Sequence, residues 1–295
     1  MKSYFEMMLD KTMQILAIDS VEASACESSP FGEGVGEVIE EVATTAQEMG
    51  FAVHNEGGYY CTCDIGEGET FGILGHLDVV PYENNWSASP LGQIVDDKIY
   101  GRGILDDKGP MMCCLYACKE LLDSGKKPTK KIRFIFGGNE ESGWRCIDKY
   151  NEVDVMPKIG FSPDGDFPVI NCEKGLVHYE LLYAMPQGMT KLEGGTRANI
   201  VMENCVAELD REITLPCYDD ALTVSVEKGK TIIKAIGKPA HASTPQLGDN
   251  ALWHILHYLA DAIGGDYVEF ERILCHNDGK NVGINLHDSK SGNLT

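Results

Sequence analysis

Gly75-His76-Leu77-Asp78-Val79-Val80-Pro81 sets an imidazole and a carboxylate two residues apart, at the end of an apolar run that starts at Phe71. In extended chain, residues two apart point to the same face. A strand end of this kind is a poor way to build a core and a good way to build a metal site. Imidazole binds zinc well, and a nearby carboxylate can hold the ring's other nitrogen. Three further acidic stations follow: Asp106-Asp107 in a glycine-punctuated loop, Glu140-Glu141 after Gly137-Gly138-Asn139, and Asp164 in Pro163-Asp164-Gly165-Asp166. Taken singly, a strand-end histidine is ordinarily a hydrogen-bonded structural residue, and paired acids are ordinarily solvated loop charges. Four such stations beside glycines at element ends are hard to explain that way.

Their convergence has an electrostatic consequence. Asp78, Asp106, Asp107, Glu140, Glu141 and Asp164 in one crevice repel, and several must protonate unless a cation is present. One histidine with several carboxylates suits zinc, manganese or cobalt better than calcium, which favours an all-oxygen cage.

The elements that position these residues are legible from periodicity. Tyr4, Phe5, Met8, Leu9, Met13 and Leu16 recur at helical spacing, as do Val35, Val38, Ile39, Val42, Ala46 and Met49. Phe51 to His54, Tyr59 to Cys63 and Phe71 to Gly75 read as strands, and Gln93 to Tyr100 as a hairpin around Asp96-Asp97. A helix is expected from about Met111 to Leu122, with Pro110 near its first turn, and short strands at Lys131 to Phe136 and Lys158 to Ser162. His76, Glu140-Glu141 and Asp164 then each lie just past the carboxyl end of a strand, where open α/β sheets bind ligands. From Leu176 the pattern changes to strands at Leu176 to Tyr183, Asn199 to Leu209, Leu222 to Val226 and Thr231 to Ile236, followed by a helix carrying Leu252, Ile255, Leu256, Leu259 and Ile263.

Composition bounds the rest. A chain of 295 residues holds one large domain or two ordinary ones. Lys plus Arg number 25 against 46 Asp plus Glu, a net charge of -21, which argues against phosphate-backbone partners. No apolar run approaches a membrane span, and Met1-Lys2-Ser3-Tyr4-Phe5-Glu6 leads into a helical pattern instead of a signal core, so a cytoplasmic address is expected. The 11 cysteines lack zinc-ribbon spacing and read as reduced, mostly buried thiols.

Gly75 to Pro81, Gly101-Arg102-Gly103 with Asp106-Asp107-Lys108-Gly109, and Asn139-Glu140-Glu141-Ser142-Gly143 together resemble the aminoacylase, carboxypeptidase and carnosinase family of di-metal hydrolases. The tract Phe161 to Val169 followed by Glu173-Lys174-Gly175 is similar to its PepV-type bacterial dipeptidases. The resemblance implies an α/β fold: a three-layer α/β/α catalytic domain with a mostly parallel sheet, plus an inserted α+β lid domain. Residues 1–174 are the expected first segment of the catalytic domain and residues 175–295 an incomplete lid. It implies two divalent metal ions, zinc by preference, with His76 and Asp164 on one, Glu141 on the other and Asp106 bridging them. On the same resemblance Asp78 would orient His76, and Glu140 would be the general base that takes a proton from the metal-bridging water and passes it to the leaving amine. His241, in Gly237-Lys238-Pro239-Ala240-His241-Ala242-Ser243, stabilises the oxyanion with help from Asn199, both in substrate-binding positions. His254 and His257 lie three apart on the last helix without an acidic ligand on that face, and read as plain surface.

In the family the catalytic domain resumes after the lid and supplies a last histidine ligand; no motif for that ligand stands before Thr295. The expectation is therefore a piece of a longer enzyme, weakly active or inactive alone. The activity expected of the whole is hydrolysis of dipeptides or short peptides. The alternatives are an N-acyl amino acid deacylase or desuccinylase of the same family, or a noncatalytic metal-binding relative. A two-metal phosphoesterase is disfavoured, since Arg102 and Lys108 are the only basic groups near the acidic stations.

Overall fold

Apolar stripes and caps decide where the helices run. The computed structural model describes residues 2–82, 86–166, 168–170, 180, 182–242, 244–275, 287–288 and 292–293. Ser3 opens α1 (Tyr4–Leu16) with a capping box closed by Glu6. α2 (Glu33–Glu48) buries Val35, Val38, Ile39, Val42 and Ala46 along one face. β1 (Ala52–Asn55), β2 (Tyr60–Ile65) and β3 (Thr70–His76) follow. Next comes the hairpin β4 (Gln93–Val95) and β5 (Lys98–Tyr100), turned by Asp96 and Asp97 at φ 48° and 58°. Two successive left-handed residues are the mark of the tight turn that matches strand twist. α3 (Lys108–Asp123), β6 (Lys131–Gly137), α4 (Arg145–Val153) and β7 (Ile159–Phe161) complete the first of two compact units, Met1–Ile170.

Its sheet has the order β1-β2-β6-β3-β7. β3 pairs in parallel with both β6 and β7, while β2 runs antiparallel to β1 and β6, so four of the five strands share one direction. Side-chain alternation on β6 assigns the two faces. Phe134 and Phe136 join Val38, Ile39, Met111 and Leu115 from α2 and α3 in one core, whereas Ile135 packs with Tyr60 and Tyr150 of α4 on the other. The result is a three-layer α/β/α arrangement.

The second unit, Asn171–Thr295, has a four-stranded antiparallel sheet. It comprises β8 (Met189–Gly194), β9 (Asn204–Leu209), β10 (Leu222–Glu227) and β11 (Lys230–Ile236), in the order β10-β11-β9-β8. Alternate residues Cys205, Ala207 and Leu209 on β9 and Ile233 and Ala235 on β11 bury against Ala251, Ile255 and Leu259 of α5 (Ala251–Ile263). α6 (Asp266–Leu274) follows through Gly264-Gly265. This is an α+β unit.

Two local expectations change, and a third lies largely outside the described residues. The strand expected from Asn199 begins only at Asn204, because Ile200 bridges His241 and the Val201 N–H donates to the Ala240 carbonyl instead of joining the sheet. The strand expected at Leu176 to Tyr183 falls largely outside the described residues, as does Glu173-Lys174-Gly175; Leu182 and Tyr183 belong to no element. His254 is no plain surface group. Its Nδ1 lies 2.6 Å from Asp219 and its Nε2 2.9 Å from Asp249, acids that come from other segments of the fold.

Carboxylates on both ring nitrogens favour the imidazolium form of His254. Burial works against its charge, but the bonds to Asp219 and Asp249 outweigh it and raise the ring's pKa. A raised histidine stabilises the fold fully below its unfolded value of about 6.5, and that stability is lost as pH rises through the folded value. As pH rises above about 6.5, the melting temperature of the chain should fall more than that of a His254→Gln variant. The excess should be about 2–4 °C, the shift that roughly 1 kcal/mol produces in a chain of this size. Parallel slopes for the two proteins would contradict it.

Candidate metal centre

Parallel pairing brings three strand ends together. His76, last residue of β3, sits in register with Gly137, last residue of β6, so Glu140 and Glu141 follow a few residues beyond on the same edge. β7 ends at Phe161, also alongside β3, and Asp164 comes three residues later. Asp106-Asp107 enters from the start of α3, with Asp107 at the helix N-cap and a cis peptide bond joining the two. His76, Asp78, Asp106, Asp107, Glu140, Glu141 and Asp164 therefore meet at one edge of the sheet.

His76 is the hub. Its side chain is 1% exposed. Nδ1 donates to the Asp78 carbonyl oxygen at 2.9 Å, with Asp78 Oδ1 at 3.5 Å. Since a carbonyl can only accept, this bond fixes the proton on Nδ1 in the neutral ring and leaves the Nε2 lone pair for a ligand. Nε2 faces Asp106 Oδ1 at 3.0 Å and Asp164 Oδ2 at 3.4 Å. Ligand atoms of His76, Asp106 and Glu141 lie within 4.8 Å of one another, and so do those of His76, Glu140 and Asp164.

Asp78 does more than touch the ring. Its two carboxylate oxygens accept the backbone N–H groups of Glu140 at 2.9 Å and of Glu141 at 3.1 Å. One buried carboxylate thus fixes the histidine through its carbonyl and the glutamate pair through its side chain. Asn139, fully buried, receives Arg145 Nε on its Oδ1 at 3.1 Å and braces the same turn. Neither contact is visible in sequence, because the partners are separated by 62 residues in one case and joined through a non-periodic turn in the other.

The charges behave as a crowded anionic site. Burial, joined by the charges of Asp106 and Glu140, pushes Glu141 up to about 7. Burial, joined by repulsion from Asp164 and Asp106 and opposed by His76, pushes Asp107 up to about 8. Glu140 is raised as well, chiefly by burial. Asp106 is lowered by its bond to His76. Burial disfavours a charged His76 ring, yet its bonds to Asp106, Asp164 and Asp78 carry its pKa well above the ordinary range. Two groups that share His76, one with Asp106 and Glu141 and the other with Glu140 and Asp164, each offer an imidazole nitrogen and two carboxylates, a donor set that fits divalent metal.

Gly75 makes this packing possible. A Cβ added there would run into Asp107 Oδ2 and the Met111 side chain, the two groups that seat the start of α3 against β3. Asp107 Oδ2 also accepts the His76 backbone N–H at 3.3 Å. Gly75→Ala should destabilise the chain by about 1–3 kcal/mol, the usual cost of overpacking. Zinc titration should show weakened binding in the same variant; unchanged affinity would mean that α3 does not help set the site.

The other two predicted site residues, Asn199 and His241, lie in the α+β unit. They are brought together there: Ile200 bridges His241, and the Ala242 N–H donates to the Asn199 carbonyl at 2.8 Å. Among the described residues, no helix is long and apolar enough to cross a membrane, and ten described cysteines are free thiols.

Residues 72–280 match the sequence pattern of peptidase family M20/M25/M40. YtjP of Bacillus subtilis (strain 168), a candidate dipeptidase by name, is 33% identical over 317 aligned positions, covering 98% of this chain and 68% of its own length. The Beta-Ala-Xaa dipeptidase of Lactobacillus delbrueckii subsp. lactis is 33% identical, over 95% of this chain and 65% of its own. Human carnosine dipeptidase 1 is similar over 50% of this chain and 35% of its own, with a TM-score of 0.44 and 24% identity.

Proposed function

The chain belongs to peptidase family M20/M25/M40, and on that premise we propose that its whole protein is a cytoplasmic metallodipeptidase with a two-metal centre, zinc by preference. The observation that carries this reading is the pair of three-ligand groups that share His76, one with Asp106 and Glu141 and the other with Glu140 and Asp164. His76 and Asp164 are assigned to one ion, Glu141 to the second and Asp106 to both. Divalent metal held by these residues would supply an acidified water and polarise the scissile carbonyl.

The chain's own residues do the rest. Asp78 keeps His76 in the tautomer that presents Nε2, and anchors the backbone from which Glu140 and Glu141 project. Glu141 is the ligand of that pair. Glu140 takes the proton of the attacking water and delivers it to the departing amine, which needs a carboxylate whose pKa stands above its solvent value, and burial raises Glu140 in that direction. His241, with Asn199 beside it, is assigned to the oxyanion, an interaction typically worth about 3–4 kcal/mol.

The substrates expected are unblocked dipeptides, including those with an N-terminal β-alanine, by likeness to the named activity of the Lactobacillus relative. The test is turnover by the whole protein, loaded with zinc or manganese, on a dipeptide panel set against N-acetyl and N-succinyl amino acids. Dipeptides should lead in kcat/KM by at least about tenfold, a difference of roughly 1.4 kcal/mol at the transition state. A preference for the acylated amino acids would replace the reading with a deacylase or desuccinylase. No turnover on either set by a metal-loaded protein would leave a metal-binding relative without this chemistry.

A further inference from the structure

We propose a second metal site, separate from the acidic cluster, in which His257, Glu271 and Cys275 hold one zinc ion, or another divalent cation that accepts thiolate, and clip α5 to α6. The three side chains come from two helices that run in opposite directions. Trp253 Nε1 donates to the Leu274 carbonyl at 3.0 Å, and His257, one turn further along α5, meets Glu271, one turn earlier on α6. Glu271 and Cys275 are four apart, so they stand one above the other on the same face of α6 and its cap. The Trp253 bond fixes the residue next to Cys275 against α5, one turn from the level at which His257 meets Glu271, and the thiol is within reach of both.

The distances suit a cation. His257 Nδ1 lies 2.8 Å from Glu271 Oε1, and ligand atoms of all three residues are within 4.8 Å of one another. Around a tetrahedral zinc with bonds of about 2.0–2.3 Å, ligand atoms stand roughly 3.3–3.8 Å apart. Parting His257 and Glu271 by about half an ångström and drawing in the thiol completes that geometry. One imidazole nitrogen, one carboxylate oxygen and one sulfur form a set that selects zinc or cobalt over magnesium or calcium. Cys275 is buried, at 4% exposure, while the His257 side chain is 56% exposed, so solvent has access to the fourth coordination position. The role is structural: a cation bound there only in the folded state stabilises the helix pair.

Cobalt substitution tests this apart from the proposed activity. The catalytic cluster offers only nitrogen and oxygen, so a sulfur-to-cobalt charge-transfer band reports a thiolate site alone. Titrating the zinc-free chain with cobalt should raise that band to a saturating plateau. Cys275→Ser should abolish it. His257→Ala, a change at an exposed position that leaves the fold intact, should weaken cobalt binding at this site by at least about tenfold, the lower bound for losing even an outer-shell partner. Absence of the band in the unsubstituted chain, or its survival in Cys275→Ser, would overturn the proposal. Loss of metal at the catalytic cluster alone would leave the band unchanged.

Discussion

Replacing Glu140 by glutamine in the whole protein lowers kcat by about 10²–10⁴-fold, the range for loss of a positioned acid–base group, and leaves metal content at the wild-type value. Glutamine keeps the shape and burial of the side chain and leaves the backbone N–H that Asp78 accepts at 2.9 Å. What it cannot do is take a proton from water. Turnover and metal content must be measured together, because Glu140 also lies in a ligand-like group with His76 and Asp164. A fall in both would make Glu140 a ligand and transfer the base role elsewhere. Unchanged turnover would remove Glu140 from the mechanism.

The second large effect is expected at Asp106. Asp106→Ala should weaken metal binding by more than the roughly 10–100-fold that follows loss of an outer-shell partner, and turnover should vanish with it. Asp106 Oδ1 faces His76 Nε2 at 3.0 Å and shares a three-ligand group with Glu141. If it serves both ions, a single substitution lowers the stoichiometry from two toward zero. Asp78→Asn offers the contrast, since it perturbs the glutamate pair and the histidine without removing a ligand; its metal affinity should fall within the outer-shell range. Calorimetric titration of zinc into the three proteins separates these outcomes, and an Asp106→Ala variant that still binds two ions would refute the bridging role.

Much of this site is legible in the sequence, for physical reasons that differ by residue. His76 and Asp78 follow a continuous apolar run, so both the buried strand and the common direction of the two side chains can be read from period two. Glu140-Glu141 and Asp164 can be placed because each follows a short apolar strand closed by glycine or proline. The hidden part is tertiary. That Asp78 grips the amides of Glu140 and Glu141 depends on parallel pairing of β3 with β6. That Gly75 must be glycine depends on Asp107 lying against it. α4 escapes periodicity because, of its nine residues, only Cys146 and Tyr150 are buried, too thin a stripe to signal a helix. α6 is equally short and buries only Tyr267. The acids around His254 and His257 come from Asp219, Asp249 and Glu271, none of them on α5, so inspection of that helix alone could not find them.

The most direct test of the central claim is anomalous diffraction from crystals of the whole protein grown with zinc. The account predicts two peaks about 3.5–4 Å apart, one bonded to His76 and Asp164, the other to Glu141, with Asp106 reaching both. A map without zinc between these four side chains, in crystals that hold it elsewhere, would contradict the account.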